Sequence, residues 1–181
     1  AMHKVQNSTS VLFLDFDDVL CLNRPYGGQH LLLRPQPVDL HLRLWHPPAL
    51  QALLEVVDSS RSSIVLTTTW LRFLDLQMAR ELFKRTNAEV LANSLHPHGE
   101  APQMVGQTRL QAIDIWMKKH SRPSAYAILD DAESGASLLG SLHDRAGRLF
   151  LCAVGRGFTR QQVPGVLRAL IPQASQALLL E

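Results

Sequence analysis

The sequence predicts an α/β fold with a doubly wound, mainly parallel sheet in three layers. Short apolar runs alternate with segments of helical periodicity along the chain, which favours right-handed strand–helix–strand units. The first apolar run, residues 11–14, is short and continuous, as expected of a strand buried on both faces. Several of these runs end in acids or hydroxyls. In sheets of this kind ligands bind beyond the carboxyl ends of the strands, so that edge is the predicted site.

Four further strands are predicted from their short length and their apolar or β-branched residues. They lie at residues 63–70, 88–93, 125–131 and 148–154. The helices are predicted where apolar residues recur at helical spacing, at residues 47–58, 71–86, 107–120 and 160–170. Prolines and glycines predict irregular structure over residues 20–46, and residues 94–106 are predicted to be a short loop.

The size and composition are typical of one folded domain. The chain has 181 residues, of which 46% are hydrophobic and 19% charged, which excludes a disordered chain. We expect residues 11–181 to form this domain and residues 1–10 to be a frayed start or a tag remnant. The net charge of +2 lends no support to nucleic-acid binding and does not exclude it.

The number of cysteines and the length of the apolar segments predict the cellular compartment of the protein. Cys21 and Cys152 are too few for a disulfide framework, which favours a reducing environment. No apolar stretch approaches the ~20 residues of a membrane-spanning helix, and the first residues lack the apolar core of a signal peptide. We therefore expect a cytoplasmic protein that does not bind membranes.

Acidic and hydroxyl side chains follow three of the predicted strands. Asp15 and Asp17 follow the first, Thr67 belongs to the end of the second, and Asp130 and Asp131 end the strand at 125–131. Residues two apart on a strand point the same way, so Asp15 and Asp17 are predicted to lie side by side, roughly 7 Å apart. Carboxylates this close repel one another unless a cation or a proton lies between them. The pattern predicts a metal site, an acid–base role, or both.

These motifs, in this order, resemble those of the haloacid dehalogenase superfamily. LDFDDVL corresponds to the first motif, IVLT to the second, Arg109 to the third and ILDD to the fourth. Within the superfamily the chain most resembles small capless bacterial members, some of which are domains of RNA-repair proteins. The resemblance implies a Mg²⁺-dependent phosphohydrolase that acts on phosphomonoesters through an aspartyl-phosphate.

The resemblance also implies a role for each catalytic residue. Asp15 is the expected nucleophile and Asp17 the expected general acid and base. Thr67 is expected to donate a hydrogen bond to a phosphoryl oxygen, and Arg109 to neutralise charge that develops there.

The expected Mg²⁺ ligands overlap with these residues. They are the carboxylate of Asp15, the backbone carbonyl of Asp17, and the pair Asp130 and Asp131, all hard oxygen ligands of the kind that Mg²⁺ prefers.

The identity of the third-motif cation stays open at this stage. Arg109 lies near the start of its predicted helix, close to the expected site. Lys118 and Lys119 lie about nine residues further along, roughly 14 Å down the helix axis. Arg109 is therefore favoured, although most of the superfamily uses lysine.

Two features have no assigned role. Asp18 stands where the superfamily frequently has glycine, and it could stiffen the turn, tune metal affinity or point to solvent. His96 and His98 flank a proline in a predicted loop. With no cysteine or third histidine nearby in the sequence, they are not predicted to bind zinc.

The short segments after the first and second motifs predict a protein without a cap domain. An open site suits a bulky or macromolecular phosphoester, nucleic acid included, or a lid supplied by a second subunit of a homo-oligomer. Two alternatives remain. One is a catalytically silent binding or assembly module with the same fold. The other, weaker, is a receiver-like phospho-acceptor domain, which would need an aspartate that IVLTTTW lacks.

Overall fold

The computed structural model describes residues 10–172. The expectations for residues 1–9, and for the end of the domain at residues 173–181, lie outside the described residues. Ser10 belongs to the predicted frayed start, yet it is buried, and its hydroxyl lies 2.6 Å from that of Ser62.

The centre of the protein is a five-stranded sheet in which every strand is parallel to its neighbours. The strand order is β3-β2-β1-β4-β5. The strands are β1 (Val11–Leu14), β2 (Ser63–Leu66), β3 (Leu95–Glu100), β4 (Tyr126–Asp131) and β5 (Leu149–Cys152). This arrangement confirms the predicted doubly wound α/β fold.

Helices cover both faces of the sheet. They are α1 (Leu40–Arg43), α2 (Pro47–Ser60), α3 (Leu76–Arg85), α4 (Glu89–Asn93), α5 (Arg109–His120), α6 (Leu142–Arg145) and α7 (Val163–Leu170). Short 3-10 helices lie at Gly28–Leu32, Thr69–Arg72, Ala136–Leu138 and Arg160–Gln162.

The core is divided by the sheet into two apolar clusters. Leu12 and Leu14 of β1 point into the larger cluster, with buried residues of α2, α3, α4 and α7. Val11 and Phe13 point into the other, with Ile113 of α5. Successive residues of a strand face opposite sides, so a central strand buried on both faces is apolar throughout, as β1 is. The result is the predicted three-layer arrangement.

The third strand was predicted in the wrong place. Residues 88–93 contain the helix α4, and β3 lies in the segment 94–106 that was predicted to be a loop. Ala88, Leu91 and Ala92 are buried and recur at helical spacing, a pattern that the strand prediction overlooked. The strand itself contains Pro97 and Gly99, which have low strand propensity. Proline is tolerated because β3 is an edge strand.

The helix predicted over residues 71–86 begins later than expected. A 3-10 helix spans Thr69–Arg72, and α3 begins at Leu76 after Asp75, whose carboxylate accepts a 2.8 Å hydrogen bond from the backbone N–H of Met78. An aspartate in this position is a common helix start signal. Within residues 10–172, no helix combines the length and the apolar composition that crossing a membrane requires.

Candidate active site

The register of three neighbouring strands brings the predicted site residues together. Leu14 of β1 is aligned with Leu66 of β2 and with Leu129 of β4. The next residue of each chain segment is therefore at the same edge: the N–H of Thr67 donates to the carbonyl of Leu14 (2.9 Å), and that of Asp15 to the carbonyl of Leu129 (3.1 Å). Asp130 follows Leu129 directly, so the three polar side chains lie in a row.

Three carboxylates form a tight, buried group at this edge. One oxygen from each of Asp15, Asp130 and Asp131 lies within 4.8 Å of the other two, and the residues are 2%, 0% and 2% exposed. Burial, followed by repulsion from Asp130, raises the pKa of Asp15 well above its ordinary value. Burial likewise raises the pKa of Asp130. Such a group is stable as three carboxylates only when positive charge is close.

Backbone N–H groups orient the acids that end β4. One oxygen of Asp131 accepts hydrogen bonds from the N–H groups of Glu133 and Ser134, both at 2.9 Å, and Asp130 accepts one from the N–H of Asp131 at 2.8 Å. Burial alone would raise the pKa of Asp131, but these hydrogen bonds outweigh it and the pKa is lowered. Asp131 is thus held as a carboxylate through its Oδ2 atom, and its Oδ1 atom takes no part in these hydrogen bonds.

Several buried polar atoms of these residues have no hydrogen-bond partner within the described part of the chain. Among residues 10–172, one buried oxygen each of Asp15 (Oδ2), Asp130 (Oδ2) and Asp131 (Oδ1) has no hydrogen-bond partner. The same holds for the hydroxyl of Thr67 and for Nε and Nη1 of Arg109. Buried polar atoms are seldom left unpaired, so this concentration in one place indicates a ligand site. Three carboxylate oxygens fit Mg²⁺, whereas a hydroxyl and a guanidinium fit an anion.

The guanidinium group of Arg109 lies inside the site. Its Nε atom is 3.2 Å from Oδ2 of Asp130, and its Nη2 atom is 3.8 Å from Oδ1 of Asp15. Arg109 is only 2% exposed and is the first residue of α5, after Thr108, whose hydroxyl accepts a hydrogen bond from the N–H of Gln111. The capped start of the helix therefore fixes the arginine at the carboxyl edge of the sheet.

The two lysines considered as alternatives lie away from the acids. Lys118 and Lys119 belong to the last turn of α5, and both are exposed. The helix rises by about 1.5 Å per residue, so they are roughly 14 Å along its axis from Arg109. The structure brings Arg109, and neither lysine, into the group of acids.

Asp17 occupies a separate position from the three-carboxylate group. β1 ends at Leu14, and the carboxylate of Asp17 is not one of the three that converge. Partial burial raises the pKa of Asp17, and hydrogen bonds from the side chains of Trp70 and Asn23 offset part of the rise. The amide Nδ2 of Asn23 is 3.3 Å from Oδ1 of Asp17. Nothing in the sequence around Asn23 indicated this contact.

Thr67 and the residues after it connect the site to the core. The hydroxyl of Thr68 accepts a 3.1 Å hydrogen bond from the N–H of Trp70, which starts the 3-10 helix. Trp70 is 2% exposed, and its ring stacks on that of Trp45 with centroids 5.6 Å apart. This packing fixes the turn that follows Thr67, whose hydroxyl remains free for a ligand.

The histidines predicted to lie in a loop belong to the edge strand β3. A third histidine is close, contrary to the sequence-based expectation, because the ring of His120 at the end of α5 stacks on that of His98 with centroids 4.5 Å apart. Stacked rings do not direct their nitrogen atoms at one point. Among the described residues, the only group of three or more metal-ligating side chains is that of Asp15, Asp130 and Asp131.

Comparison with known families agrees with this geometry. The family model described as "HAD domain in Swiss Army Knife RNA repair proteins" matches residues 11–163. The matched span includes all the site residues discussed above. Comparisons with curated proteins and with solved structures gave no match.

Proposed function

Because the chain belongs to the family of HAD domains in Swiss Army Knife RNA repair proteins, we propose that it is a Mg²⁺-dependent phosphomonoesterase acting through an aspartyl-phosphate. One observation carries the proposal. The buried polar atoms without partners fall into an oxygen set suited to a divalent cation and a donor set suited to a phosphate, and the two adjoin at Asp15.

In the first step a carboxylate oxygen of Asp15 attacks the phosphorus atom. The P–O bond to the leaving group breaks, and Asp17 transfers its proton to the leaving oxygen as that bond breaks. The raised pKa of Asp17 favours the protonated form that this step needs. Asn23 and Trp70 hold the side chain of Asp17 in place.

In the second step water attacks the phosphorus atom of the aspartyl-phosphate. Asp17 takes a proton from the water, the P–O bond to Asp15 breaks, and inorganic phosphate leaves. In both steps the Thr67 hydroxyl and the Arg109 guanidinium donate to the phosphoryl oxygens, which carry developing negative charge. Splitting one difficult displacement into two easier ones is the advantage of a carboxylate nucleophile.

The residues that would hold Mg²⁺ are Asp15, Asp130 and Asp131, with the backbone carbonyl of Asp17. When bound, the ion supplies positive charge that offsets repulsion between the carboxylates and an anionic phosphate. Arg109 alone cannot neutralise three carboxylates, which is the physical reason to expect a divalent cation here.

The substrate proposed is a phosphorylated end of a nucleic acid. Its support is the description of the matching family, which concerns RNA repair. The segment between β1 and α2 contains only a 3-10 helix and the four-residue α1, so it is too small to enclose a bulky substrate. The net charge of +2 adds no support, so the substrate class depends on the family alone.

A phosphatase assay tests the proposal. Purified protein with Mg²⁺ should hydrolyse a model aryl phosphate, and EDTA should abolish the activity. Asp15→Asn should lose activity, while Asp58→Asn, the same change at an exposed position of α2, should keep it. A panel of oligonucleotides with 5′- or 3′-phosphates, nucleotides, sugar phosphates and phosphopeptides then ranks substrates by kcat/KM. Binding of Mg²⁺ with no turnover of any member would instead indicate a catalytically silent module.

A further inference from the structure

Asp18 adopts a backbone conformation that normally favours glycine. Its φ angle is +58°, in the left-handed region, and its N–H donates a 2.8 Å hydrogen bond to the carbonyl of Cys21, which closes a tight turn. A side chain in this region costs roughly 1 kcal/mol relative to glycine, although aspartate tolerates it better than most residues. A side chain at this position therefore needs contacts that offset the cost.

The carboxylate of Asp18 binds a loop that is remote in the sequence. Its Oδ1 atom accepts a 2.9 Å hydrogen bond from the N–H of Gly155, which lies 137 residues away. The guanidinium of Arg24 donates to the carbonyl of the same glycine at 3.3 Å. Both backbone polar groups of Gly155 are therefore bound by the segment that follows the Asp15–Asp17 motif.

Gly155 belongs to a loop of residues 153–158. Other residues of this loop also pack against the segment that follows Asp17. The N–H of Phe158 donates a 2.8 Å hydrogen bond to the carbonyl of Val19, and Phe158 is buried. Gly157 has φ +77°, and a Cβ atom there would lie 2.9 Å from the same carbonyl, so only glycine fits. The contact between the loop and the turn is thus close-packed, and Asp18 lies at its exposed end.

The loop borders the active site. It begins directly after β5, where Cys152 is aligned with Asp131 of β4. It therefore connects the edge that carries Asp130 and Asp131 with the turn that carries Asp17 and Asp18. Arg156 is its one charged residue, and it is exposed.

We propose that Asp18 is a positioning residue for substrate binding: with Arg24 it holds loop 153–158 at the mouth of the site, so that Arg156 meets an anionic group of the substrate beyond the scissile phosphate. This inference rests on the proposed phosphomonoesterase function and adds a requirement to it. The favoured substrates carry at least one further negative charge, such as a neighbouring phosphodiester. Asp18 has no part in the chemical steps.

Hydrogen exchange tests whether Asp18 holds loop 153–158, and it does not require an active enzyme. Asp18→Gly should speed the exchange of the Gly155 amide about tenfold, because a hydrogen bond to a charged acceptor is lost. Asp18→Asn should restore most of the protection, since its amide oxygen can accept the same bond and asparagine tolerates a positive φ angle. Unchanged exchange of Gly155 in Asp18→Gly would overturn the proposal.

Kinetics on a phosphorylated oligonucleotide test the consequence for binding. Asp18→Gly and Arg156→Ala should each raise KM about five- to tenfold while kcat stays within about twofold, because only binding outside the reacting group is weakened. The double variant should be no worse than Arg156→Ala alone, since Asp18 acts through the loop. Arg145→Ala is the matched control: it removes one exposed positive charge from α6, before β5, and should leave KM unchanged.

The outcomes separate this inference from the proposed function. If the wild-type protein hydrolyses no phosphoester, the proposed function fails. The hydrogen-exchange result still decides whether Asp18 holds loop 153–158. If the protein is active and Arg156→Ala leaves KM unchanged, or the two substitutions are additive, the positioning role is overturned and the phosphatase function stands.

Discussion

The Nε atom of Arg109 lies 3.2 Å from Oδ2 of Asp130, with at most 1% of either side chain exposed. Neither atom takes part in an aligned hydrogen bond within residues 10–172. The pair therefore has the charge complementarity of a buried ion pair without its full hydrogen bonding. Such an arrangement is expected where the charges are held apart for further partners, here the phosphoryl group and Mg²⁺ of the proposed reaction.

Removing the guanidinium should damage both stability and activity. Arg109→Ala leaves Asp15 and Asp130 buried without their cation, so the free energy of unfolding should fall by about 3 kcal/mol, and phosphatase activity should be lost. Arg109→Lys keeps the charge and should retain more of both. Urea denaturation and the aryl phosphate assay measure the two effects. Lys118→Ala is the control, and an equal loss in that variant would contradict the assignment of Arg109.

Removing the proposed nucleophile, Asp15, should stabilise the metal-free protein. Asp15→Asn deletes one of three crowded carboxylates, and the raised pKa of Asp15 indicates that its charge is unfavourable in this fold. We expect the free energy of unfolding without Mg²⁺ to rise by about 1 kcal/mol at neutral pH, while activity falls by about three orders of magnitude or more. Urea denaturation in EDTA measures the first effect. A less stable Asp15→Asn protein would argue that the carboxylate supports the fold.

The stabilising effect of Mg²⁺ should depend on pH. The folded-state pKa values of Asp15 and Asp130 are raised, chiefly by burial, so their contribution to stability is greatest below the unfolded-state value and is lost as pH rises through the folded-state value. Mg²⁺ compensates for that loss. It should therefore raise Tm more at about pH 7.5 than at about pH 5. Thermal scans with and without Mg²⁺ check this, and an equal shift at both pH values would count against a metal site at these acids.

The two cysteines should be chemically inert in the folded protein. Burial raises the pKa of each thiol, Cys21 and Cys152, to about 12. The thiolate is the reactive form, so modification by iodoacetamide at about pH 8 should be at least about a thousandfold slower than for a free thiol. Peptide mass spectrometry after labelling with and without urea measures this. Rapid labelling of either thiol without urea would show that the region around it opens.

The grouping of the candidate site residues could be predicted from the sequence because they directly follow buried parallel strands. Asp15, Thr67 and Asp130 each come one residue after an apolar run, and the sheet aligns those runs in register. The prediction of the third strand failed because the local strand propensity of its residues disagreed with their position in the sheet. Residues 95–100, with proline and glycine, form a strand because the edge of the sheet accepts them.

Contacts between loops that are remote in the sequence could not have been predicted. The hydrogen bond from Gly155 to Asp18 spans 137 residues, and no local pattern in either segment indicates it. The contact of Asn23 with Asp17 depends on how the turn after β1 folds back, with Asn23 itself at φ +60°. Such features follow from the packing of loops against one another, which the periodicity of strands and helices does not specify.

Trapping the covalent intermediate would identify the nucleophile of the proposed reaction. Protein turning over a phosphorylated substrate with Mg²⁺ is quenched with borohydride, which reduces an acyl phosphate on an aspartate to homoserine, and the peptides are mapped by mass spectrometry. Homoserine is expected at position 15 alone, and only when both substrate and Mg²⁺ are present. The active Asp58→Asn variant should form it as well, whereas wild-type protein kept without substrate should not. Homoserine at another acid, or none at position 15 during sustained turnover, would contradict Asp15 as the nucleophile.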